Sequence, residues 1–230
     1  MNTENVLGFL TIGALAYAAI DGVRSAIKKR PTVFGAATDP LQKHGNDGEE
    51  KVDAALREQG IPTLRNVFLQ SWKEHVTELD LVALIGTSIT VIEVKAWTGD
   101  VRGRTDDAEW SQVKGHQVKM MGNPLLQNRY HALHARRHLP RAHIAELVVF
   151  TEGMFPEGQP EGVVDIPGLL EYVGHQRTGE PDSPTMLAWG KLASISGRQD
   201  KQLLREKLLS QVRLGMGAEN NGDDNITVVV

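Results

Sequence analysis

The spacing of apolar and polar positions along the chain predicts alternating helices and strands. Apolar residues at helical spacing predict a first helix over residues 47–59, which Gly60 and Pro62 end. Apolar and β-branched runs then predict strands at residues 63–70, 78–85, 88–95 and 144–150, and a short one at 99–103. Helices are predicted at residues 124–139 and 199–214. This order of elements predicts an α/β fold in which helices flank a small mixed β-sheet.

The N-terminus has a different pattern. Residues 6–20 carry no charge, and a basic flank that includes Arg24, Lys28 and Arg30 follows. Extended to residue 27, this run approaches the roughly 20 apolar residues that span a bilayer, so it predicts a membrane-anchor helix. A buried soluble helix is one alternative. A signal peptide is another, although no Lys or Arg precedes the run. The basic flank then predicts that the rest of the chain is cytoplasmic and the N-terminus outside.

Composition and charge limit the remaining classes of protein. The sequence of 230 residues contains no cysteine, which excludes disulfides, cysteine zinc sites and thiol catalysis. The net charge of −4 gives no overall attraction to nucleic acid, so binding would need a local basic patch. We expect the following division: anchor helix and basic flank (1–30), linker (31–46), main α/β domain (47–151), helical extension packed on or beside it (152–215) and tail (216–230).

Charged residues appear at the end of an apolar predicted strand. Glu93 and Lys95 lie two positions apart and therefore share one face of the strand over residues 88–95. A two-residue turn at Gly86 and Thr87 gives a hairpin register in which Asp80 lies opposite Glu93. A shift of one residue would turn Asp80 to the other face. The pattern therefore predicts a cluster of Asp80, Glu93 and Lys95.

Two interpretations of this cluster remain open on spacing alone. Two neighbouring carboxylates repel each other unless a cation lies nearby, and a hard divalent ion such as Mg²⁺ prefers oxygen ligands. A metal beside an ammonium group is suited to the hydrolysis of phosphodiester bonds. The alternative is a structural salt bridge between Lys95 and one of the acids.

Further motifs occur in a fixed order along the chain. They are GNDGEEKV from Gly45, Asn66-Val67, TELDLVAL from Thr77, ITVIEVKAWTGDVRG from Ile89, Trp110, and NPLLQN from Asn123. Together they resemble the nuclease-related domain, NERD, a branch of the PD-(D/E)xK restriction-endonuclease-like superfamily. The resemblance covers roughly residues 45–150, and residues 47–151 are accordingly expected to form a nuclease-like domain.

This resemblance implies a four-stranded mixed sheet flanked by helices, with Mg²⁺ or Mn²⁺ as the cofactor. It implies that Asp80 and Glu93 are metal ligands and that Lys95 is the catalytic lysine. Glu49 matches the family's helix glutamate, which reaches the metal directly or through water. Gln127 is expected near the site, against the phosphate backbone of the substrate.

Other positions of the motifs are expected to have structural roles or depart from the family. Asn123 and Pro124 are expected to cap and start the helix that carries Gln127. Leu81 and Ala96 stand where the family usually has polar or aromatic residues. Neither change removes a ligand, but both leave the level of activity open.

A basic stretch follows directly after Gln127. Residues 129–143 include Arg129, Arg136 and Arg137, which are expected to contact a phosphate backbone. A solvated helix face is the alternative. Trp97 and Trp110 are expected to pack in the core rather than to stack on bases.

The sequence therefore predicts a metal-dependent nuclease that acts on DNA, or alternatively RNA, and is tethered to the cytoplasmic face of a membrane through residues 6–27. The alternative is a catalytically inactive nucleic-acid-binding or protein-interaction module that keeps the nuclease fold. A membrane-tethered scaffold without a role in nucleic-acid binding is the third interpretation.

Overall fold

A computed structural model describes residues 40–70 and 76–218. The prediction for the anchor at residues 6–27 and, from residue 219 onward, the prediction for the tail lie outside these residues. Within the described residues, no helix is long and apolar enough to span a bilayer.

The described residues form five helices and eight strands. The helices are α1 (Pro40–Glu58), α2 (Pro124–His138), α3 (Ile166–Gln176), α4 (Ser183–Arg198) and α5 (Lys201–Ala218). The strands are β1 (Thr63–Gln70), β2 (Val76–Ile85), β3 (Ser88–Lys95), β4 (Asp100–Arg102), β5 (Glu109–Lys114), β6 (Gln117–Gly122), β7 (Ile144–Phe150) and β8 (Val163–Val164).

The main sheet is mixed, as the sequence predicted. Its five strands lie in the order β1-β2-β3-β7-β8, one more than the four that the resemblance implied. Strands β1, β2 and β3 pair antiparallel, whereas β7 pairs parallel to β3 and β8 parallel to β7. Strand β7 follows helix α2, which supplies the crossover that a parallel neighbour requires.

Helices cover both faces of this sheet. On one face, Val52 and Leu56 of α1 and Leu169 of α3 pack with Ile92 and Val149. On the other face, buried residues of α2 and α4 pack against Val91 and its neighbours; they are Ala132, Ala135 and Leu192. Along β3, even-numbered residues therefore face α1 and odd-numbered residues face α2. Glu93 and Lys95 are odd-numbered, which directs them to the α2 side.

Helix α1 begins at Pro40, earlier than the predicted start at residue 47. Residues 31–46 are rich in Gly, Pro, Thr and Asp, a composition that predicts a linker, but its last part, residues 40–46, is helical. Proline fits the first turn of a helix because that turn does not use its missing N–H.

A second sheet, which the sequence did not predict in full, lies beside the first. It has three antiparallel strands in the order β4-β5-β6. Only β4 was expected. The two buried positions of β5 are Trp110 and Gln112, and β6 is almost entirely exposed, so neither strand buries an alternating set of apolar side chains. Trp110 is fully buried and stacks 6.3 Å from Phe150, which confirms its packing role. Trp97 packs edge-on to the same ring at 5.5 Å.

Candidate active site

The β2–β3 hairpin has the register that the sequence predicted. Gly86 has a φ of +54°, which suits the first position of the two-residue turn. Ile85 pairs with Ser88, and the ladder continues to Leu81 opposite Ile92. The next positions in this register are Asp80 and Glu93.

The ladders on both sides of Asp80 break at that residue. Between β1 and β2, Arg65 pairs with Leu81 and Val67 pairs with Leu79, but the intervening Asn66 and Asp80 form no pair. Asn66 has a φ of +50°, a left-handed conformation that is uncommon outside glycine. On the β3 side, the carboxylate of Asp80 accepts a hydrogen bond from the backbone N–H of Val94 at 3.0 Å. Irregular backbone of this kind clusters at functional sites.

The break also changes which face each strand presents. In β2, Leu79 and Val82 both pack on the α2 side although they are three residues apart. In β1, Leu64 and Val67 do the same. Strict alternation would place residues three apart on opposite faces. The alternation of side chains between the two faces therefore shifts by one residue in both β1 and β2 at the level of Asp80.

Glu93, Lys95, Gln127 and His131 are in direct contact. The ammonium of Lys95 donates to Oε1 of Glu93 at 2.6 Å and to Oε1 of Gln127 at 3.0 Å. The Nδ1 atom of His131 lies 3.1 Å from Oε2 of Glu93, but no well-aligned hydrogen bond reaches that buried oxygen. Gln127 and His131 are four residues apart on α2 and therefore share one face of that helix. The helix thus places both side chains over the end of β3.

Electrostatic effects shift the pKa values of Asp80 and Glu93 in opposite directions. Burial, and then the charge of Glu93, raise the pKa of Asp80 well above its ordinary value. Burial also acts to raise the pKa of Glu93, but Lys95 and His131 outweigh it and lower that pKa to about 2. For Lys95, burial is outweighed by the charges of Glu93 and Asp80, which raise the pKa of its ammonium. The cluster therefore holds a fixed Glu93–Lys95 pair and a second carboxyl group whose ionisation is unfavourable.

Glu49 approaches the cluster from α1. Gly48 makes this approach possible, because a Cβ there would stand 3.1 Å from Cβ of Ala96 and 3.2 Å from Oγ1 of Thr151. The carboxylate of Glu49 accepts a hydrogen bond from the side chain of Asn66 at 3.0 Å. Burial raises the pKa of Glu49, and its charge in turn acts on Asp80. Glu49 thus acts on Asp80 through its charge, and Asn66, the residue at the break in β1, holds its carboxylate.

Of the three arginines that were predicted to contact phosphate, one is paired with a carboxylate and one lies beside acidic residues. Arg136 lies 2.7 Å from Glu146 and donates to the carbonyl of Ile144, so its charge is paired with β7. Arg129 lines a cleft that also contains the acidic residues Glu146 and Glu161. Arg137 is exposed on α2. Among the described residues, no hydrogen bond or ion pair connects these three side chains to the Lys95 cluster.

Two residues of α2 near the site were missed by sequence reasoning. His131 was counted only as part of a basic stretch, although its spacing from Gln127 could have placed it on the same face. Asn128 is buried and donates to the carbonyls of Val91 and Leu147, which fixes α2 against β3 and β7. Asn123 caps this helix by accepting from the N–H of Leu125 at 2.8 Å, as the sequence predicted.

The donor set suits a hard divalent cation. Asp80 and Glu93 offer carboxylate oxygens, and Oε2 of Glu93 is buried without a well-aligned donor. In the described part of the chain, no three acidic or histidine side chains stand close enough to enclose a metal ion. Mg²⁺ is usually bound by only one or two carboxylates, and waters and substrate phosphates complete its coordination. The residues present therefore fit a site with two protein ligands.

A mixed sheet covered by helices, with a buried acid–lysine cluster at the end of a hairpin, is the architecture that the resemblance implied for a nuclease-like domain. Residues 44–151 match the family described as the nuclease-related domain, NERD. This part of the chain is a nuclease-related domain, a class that suggests nucleic acid as the partner. No curated protein and no solved structure gave a significant match to the chain.

Proposed function

We propose that this protein is a metal-dependent nuclease that hydrolyses phosphodiester bonds in DNA. The observation that carries the proposal is the repulsion between two carboxylates at the open end of the β2–β3 hairpin, away from the turn. Glu93 is buried and Asp80 is half-buried; the ammonium of Lys95 contacts Glu93, and the pKa of Asp80 stays well above its ordinary value. A bound cation would remove this conflict. The match of residues 44–151 to the nuclease-related domain supports the same chemistry.

In this proposal, Asp80 and Glu93 hold Mg²⁺ or Mn²⁺. The ion supplies polarisation of a phosphoryl oxygen and a lowered pKa for a bound water. The Lys95 ammonium, held by Glu93 and Gln127, is placed to orient the attacking water or to offset charge that develops on the leaving oxygen. The Nδ1 atom of His131 faces the other oxygen of the Glu93 carboxylate at 3.1 Å.

Glu49 and Gln127 complete the proposed site from two helices. Glu49 contacts Asn66 and acts on Asp80 from α1, which suits a ligand that reaches the metal through water. Gln127 accepts from Lys95 through its amide oxygen, so its amide nitrogen remains to donate to a substrate phosphate.

One observation favours a second candidate function, a nucleic-acid-binding or protein-interaction module without catalysis. Lys95 lies 2.6 Å from Glu93, which is the geometry of a structural salt bridge. In this alternative the pair only stabilises the end of β3, and the domain keeps its fold without hydrolysing DNA.

A cleavage assay separates the two functions. We expect the full chain to cut linear duplex DNA with Mg²⁺ or Mn²⁺ and not with EDTA, and Lys95→Ala to abolish cutting. Lys119→Ala, which removes a lysine from the exposed strand β6, is the matched control and should keep activity. DNA binding without cleavage in either metal would favour the non-catalytic module. Absence of DNA binding at low salt would contradict the nuclease and the nucleic-acid-binding module and would favour a scaffold or protein-interaction role. The same assay with RNA decides between the two nucleic acids.

We also propose that residues 6–27 tether the domain to the cytoplasmic face of a membrane, on the strength of their apolar run and basic flank. The full chain should then sediment with membranes and resist alkaline extraction. A chain that starts at Pro31 should remain in the supernatant, and equal behaviour of the two chains would contradict the tether.

A further inference from the structure

Three cations from two parts of the chain meet beside the acidic cluster. Arg65 belongs to β1, whereas Lys201 and Arg205 belong to α5, outside the residues that match the nuclease-related domain. The ammonium of Lys201 donates to the backbone carbonyl of Arg65 at 2.6 Å. The guanidinium of Arg205 contacts the carboxylate of Glu78. These contacts attach the first turns of α5 to the edge of the main sheet.

This basic cluster adjoins Asp80 along the chain and interacts with it electrostatically. Arg65 directly precedes Asn66, and Glu78 precedes Asp80 by two residues. The charge of Arg205 interacts with both Glu49 and Asp80. The cations therefore stand at the rim of the proposed active site.

Acidic neighbours neutralise these cations only in part. Arg205 is paired with Glu78, but the guanidinium of Arg65 lies 3.9 Å from Glu49 and 3.8 Å from Glu50, beyond hydrogen-bond distance. The Nε atom of Arg65 is buried without a partner. Among the described residues, no carboxylate lies within 4.0 Å of the Lys201 ammonium.

Lys201 is in an unfavourable position for a cation that serves only stability. It is the first residue of α5, where the helix dipole disfavours positive charge. Burial lowers the pKa of its ammonium; the charge of Glu78 opposes this shift, whereas the charges of Arg205 and Arg65 add to it. The side chain is nevertheless half-exposed, so a ligand can reach it. A phosphate would relieve the mutual repulsion of these three cations.

We propose that Lys201 and Arg205 of α5, together with Arg65, bind a backbone phosphate of the nucleic-acid substrate that neighbours the scissile one. This inference rests on the proposed function, because it assumes a nucleic acid at the site. It gives the C-terminal extension a direct part in holding the substrate, and it involves only charge and hydrogen bonding without a covalent step.

The test is DNA binding by the full chain as a function of salt, with a labelled duplex in EDTA so that no cleavage occurs. Loss of one phosphate contact reduces the slope of log affinity against log salt by about 0.9. We expect Lys201→Gln to show this reduction, with a dissociation constant raised about three- to fivefold, as for one half-exposed ion pair. Lys201→Arg, which keeps the charge, should behave as the wild type. Glutamine can still donate to the carbonyl of Arg65, so thermal unfolding should be unchanged.

Two further variants keep the test decisive. Lys119→Gln removes the same charge from β6 and should leave the slope unchanged. Lys201→Glu reverses the charge and should reduce the slope further than Lys201→Gln. Equal effects of Lys119→Gln and Lys201→Gln, an unchanged slope in Lys201→Gln, or no DNA binding by the wild type would each overturn the inference.

Cleavage kinetics distinguish this inference from the proposed function. If the wild type cuts DNA, Lys201→Gln should raise KM and leave kcat unchanged, because the proposed phosphate contact of Lys201 lies away from the reacting atoms. Cutting with an unchanged KM and an unchanged salt slope would reject the phosphate site alone. Binding that depends on Lys201 without cutting in Mg²⁺ or Mn²⁺ would reject the nuclease and retain the phosphate site.

Discussion

The Nδ1 atom of His131 lies 3.1 Å from Oε2 of Glu93. Lys95 contacts the other oxygen, Oε1, at 2.6 Å, so each oxygen of this buried carboxylate faces a basic group. The two contacts together hold the pKa of Glu93 at about 2 although burial acts to raise it. Glu93 is therefore ionised and fixed in position, as a metal ligand has to be.

The first prediction concerns the His131–Glu93 contact. A double-mutant cycle with His131→Leu and Glu93→Gln should give a coupling free energy of about 1 kcal/mol or more at pH 7, measured by denaturant unfolding. His131→Asn, whose amide nitrogen can take the place of Nδ1, should keep most of this coupling. A coupling close to zero would mean that His131 only fills space.

The second prediction concerns the charge of Asp80. Its pKa in the folded chain lies above the unfolded value of 3.8, so between these values the native state binds more protons than the unfolded chain. Stability therefore falls as the pH rises through this window, and the ionised carboxylate destabilises the fold at neutral pH. Asp80→Asn should raise the free energy of unfolding by on the order of 1 kcal/mol at pH 7, or about 2–4 °C in Tm.

Two features of this gain check its cause. The gain should vanish as the pH falls below 3.8, where Asp80 of the wild type is protonated in both states. Mg²⁺ should raise the Tm of the wild type, because it binds the folded state, and should have less effect on Asp80→Asn. A variant that is less stable than the wild type at pH 7 would show that Asp80 is held mainly by its hydrogen bond to Val94.

The third prediction concerns the removal of Lys95. Lys95→Met leaves the buried Glu93 and the half-buried Asp80 without the ammonium, and breaking a buried ion pair costs about 3–5 kcal/mol. We expect a loss of that size in the free energy of unfolding at pH 7. Adding Asp80→Asn to Lys95→Met should recover part of the loss, because one of the two repelling carboxylates is gone. No recovery in the double variant would argue against electrostatic coupling between Asp80 and Lys95.

The sequence was sufficient for the parts of the fold with strong local patterns. The bounds of β1, β3 and β7 agree with the predicted strands, because each is an apolar run ended by turn residues. The register of β2 and β3 followed from the two-residue turn at Gly86 and Thr87. That register was enough to predict that Asp80 and Glu93 stand at matching positions of the hairpin.

Features that depend on tertiary contacts were not predictable from local patterns. Helix α4 was missed because its buried positions, Thr185, Leu192 and Ser196, are mostly polar and give a weak apolar stripe. The break at Asn66 was not predicted, because one asparagine in an apolar strand, although uncommon there and tolerant of positive φ, does not locate a break. The approach of α5 to Arg65 joins residues more than a hundred positions apart.

The fourth prediction compares two neighbouring arginines of α2. Arg136 is paired with Glu146 at 2.7 Å, whereas Arg137 is exposed. If α2 contacts a phosphate backbone, Arg137→Gln should reduce the salt slope of DNA binding by about 0.9. Arg136→Gln should leave that slope nearly unchanged and lower stability by up to about 1 kcal/mol, as for a surface ion pair. Equal slopes in both variants would contradict this assignment.

The last prediction tests why a glycine precedes Glu49. A Cβ at Gly48 would stand 3.1 Å from Cβ of Ala96 and 3.2 Å from Oγ1 of Thr151, so α1 has to move away from β3. We expect Gly48→Ala to lower the free energy of unfolding by about 1 kcal/mol, as for mild overpacking, and to reduce cleavage because Glu49 moves with the helix. Gly174 lies in α3 with no atom within 4 Å of an added Cβ. Gly174→Ala should therefore stabilise the fold by about 0.5–1 kcal/mol through helix propensity and leave cleavage unchanged. Both stability changes are measured by the same denaturant titration. If they have opposite signs, position 48 requires glycine because α1 approaches β3 closely. A stabilising Gly48→Ala would refute this explanation.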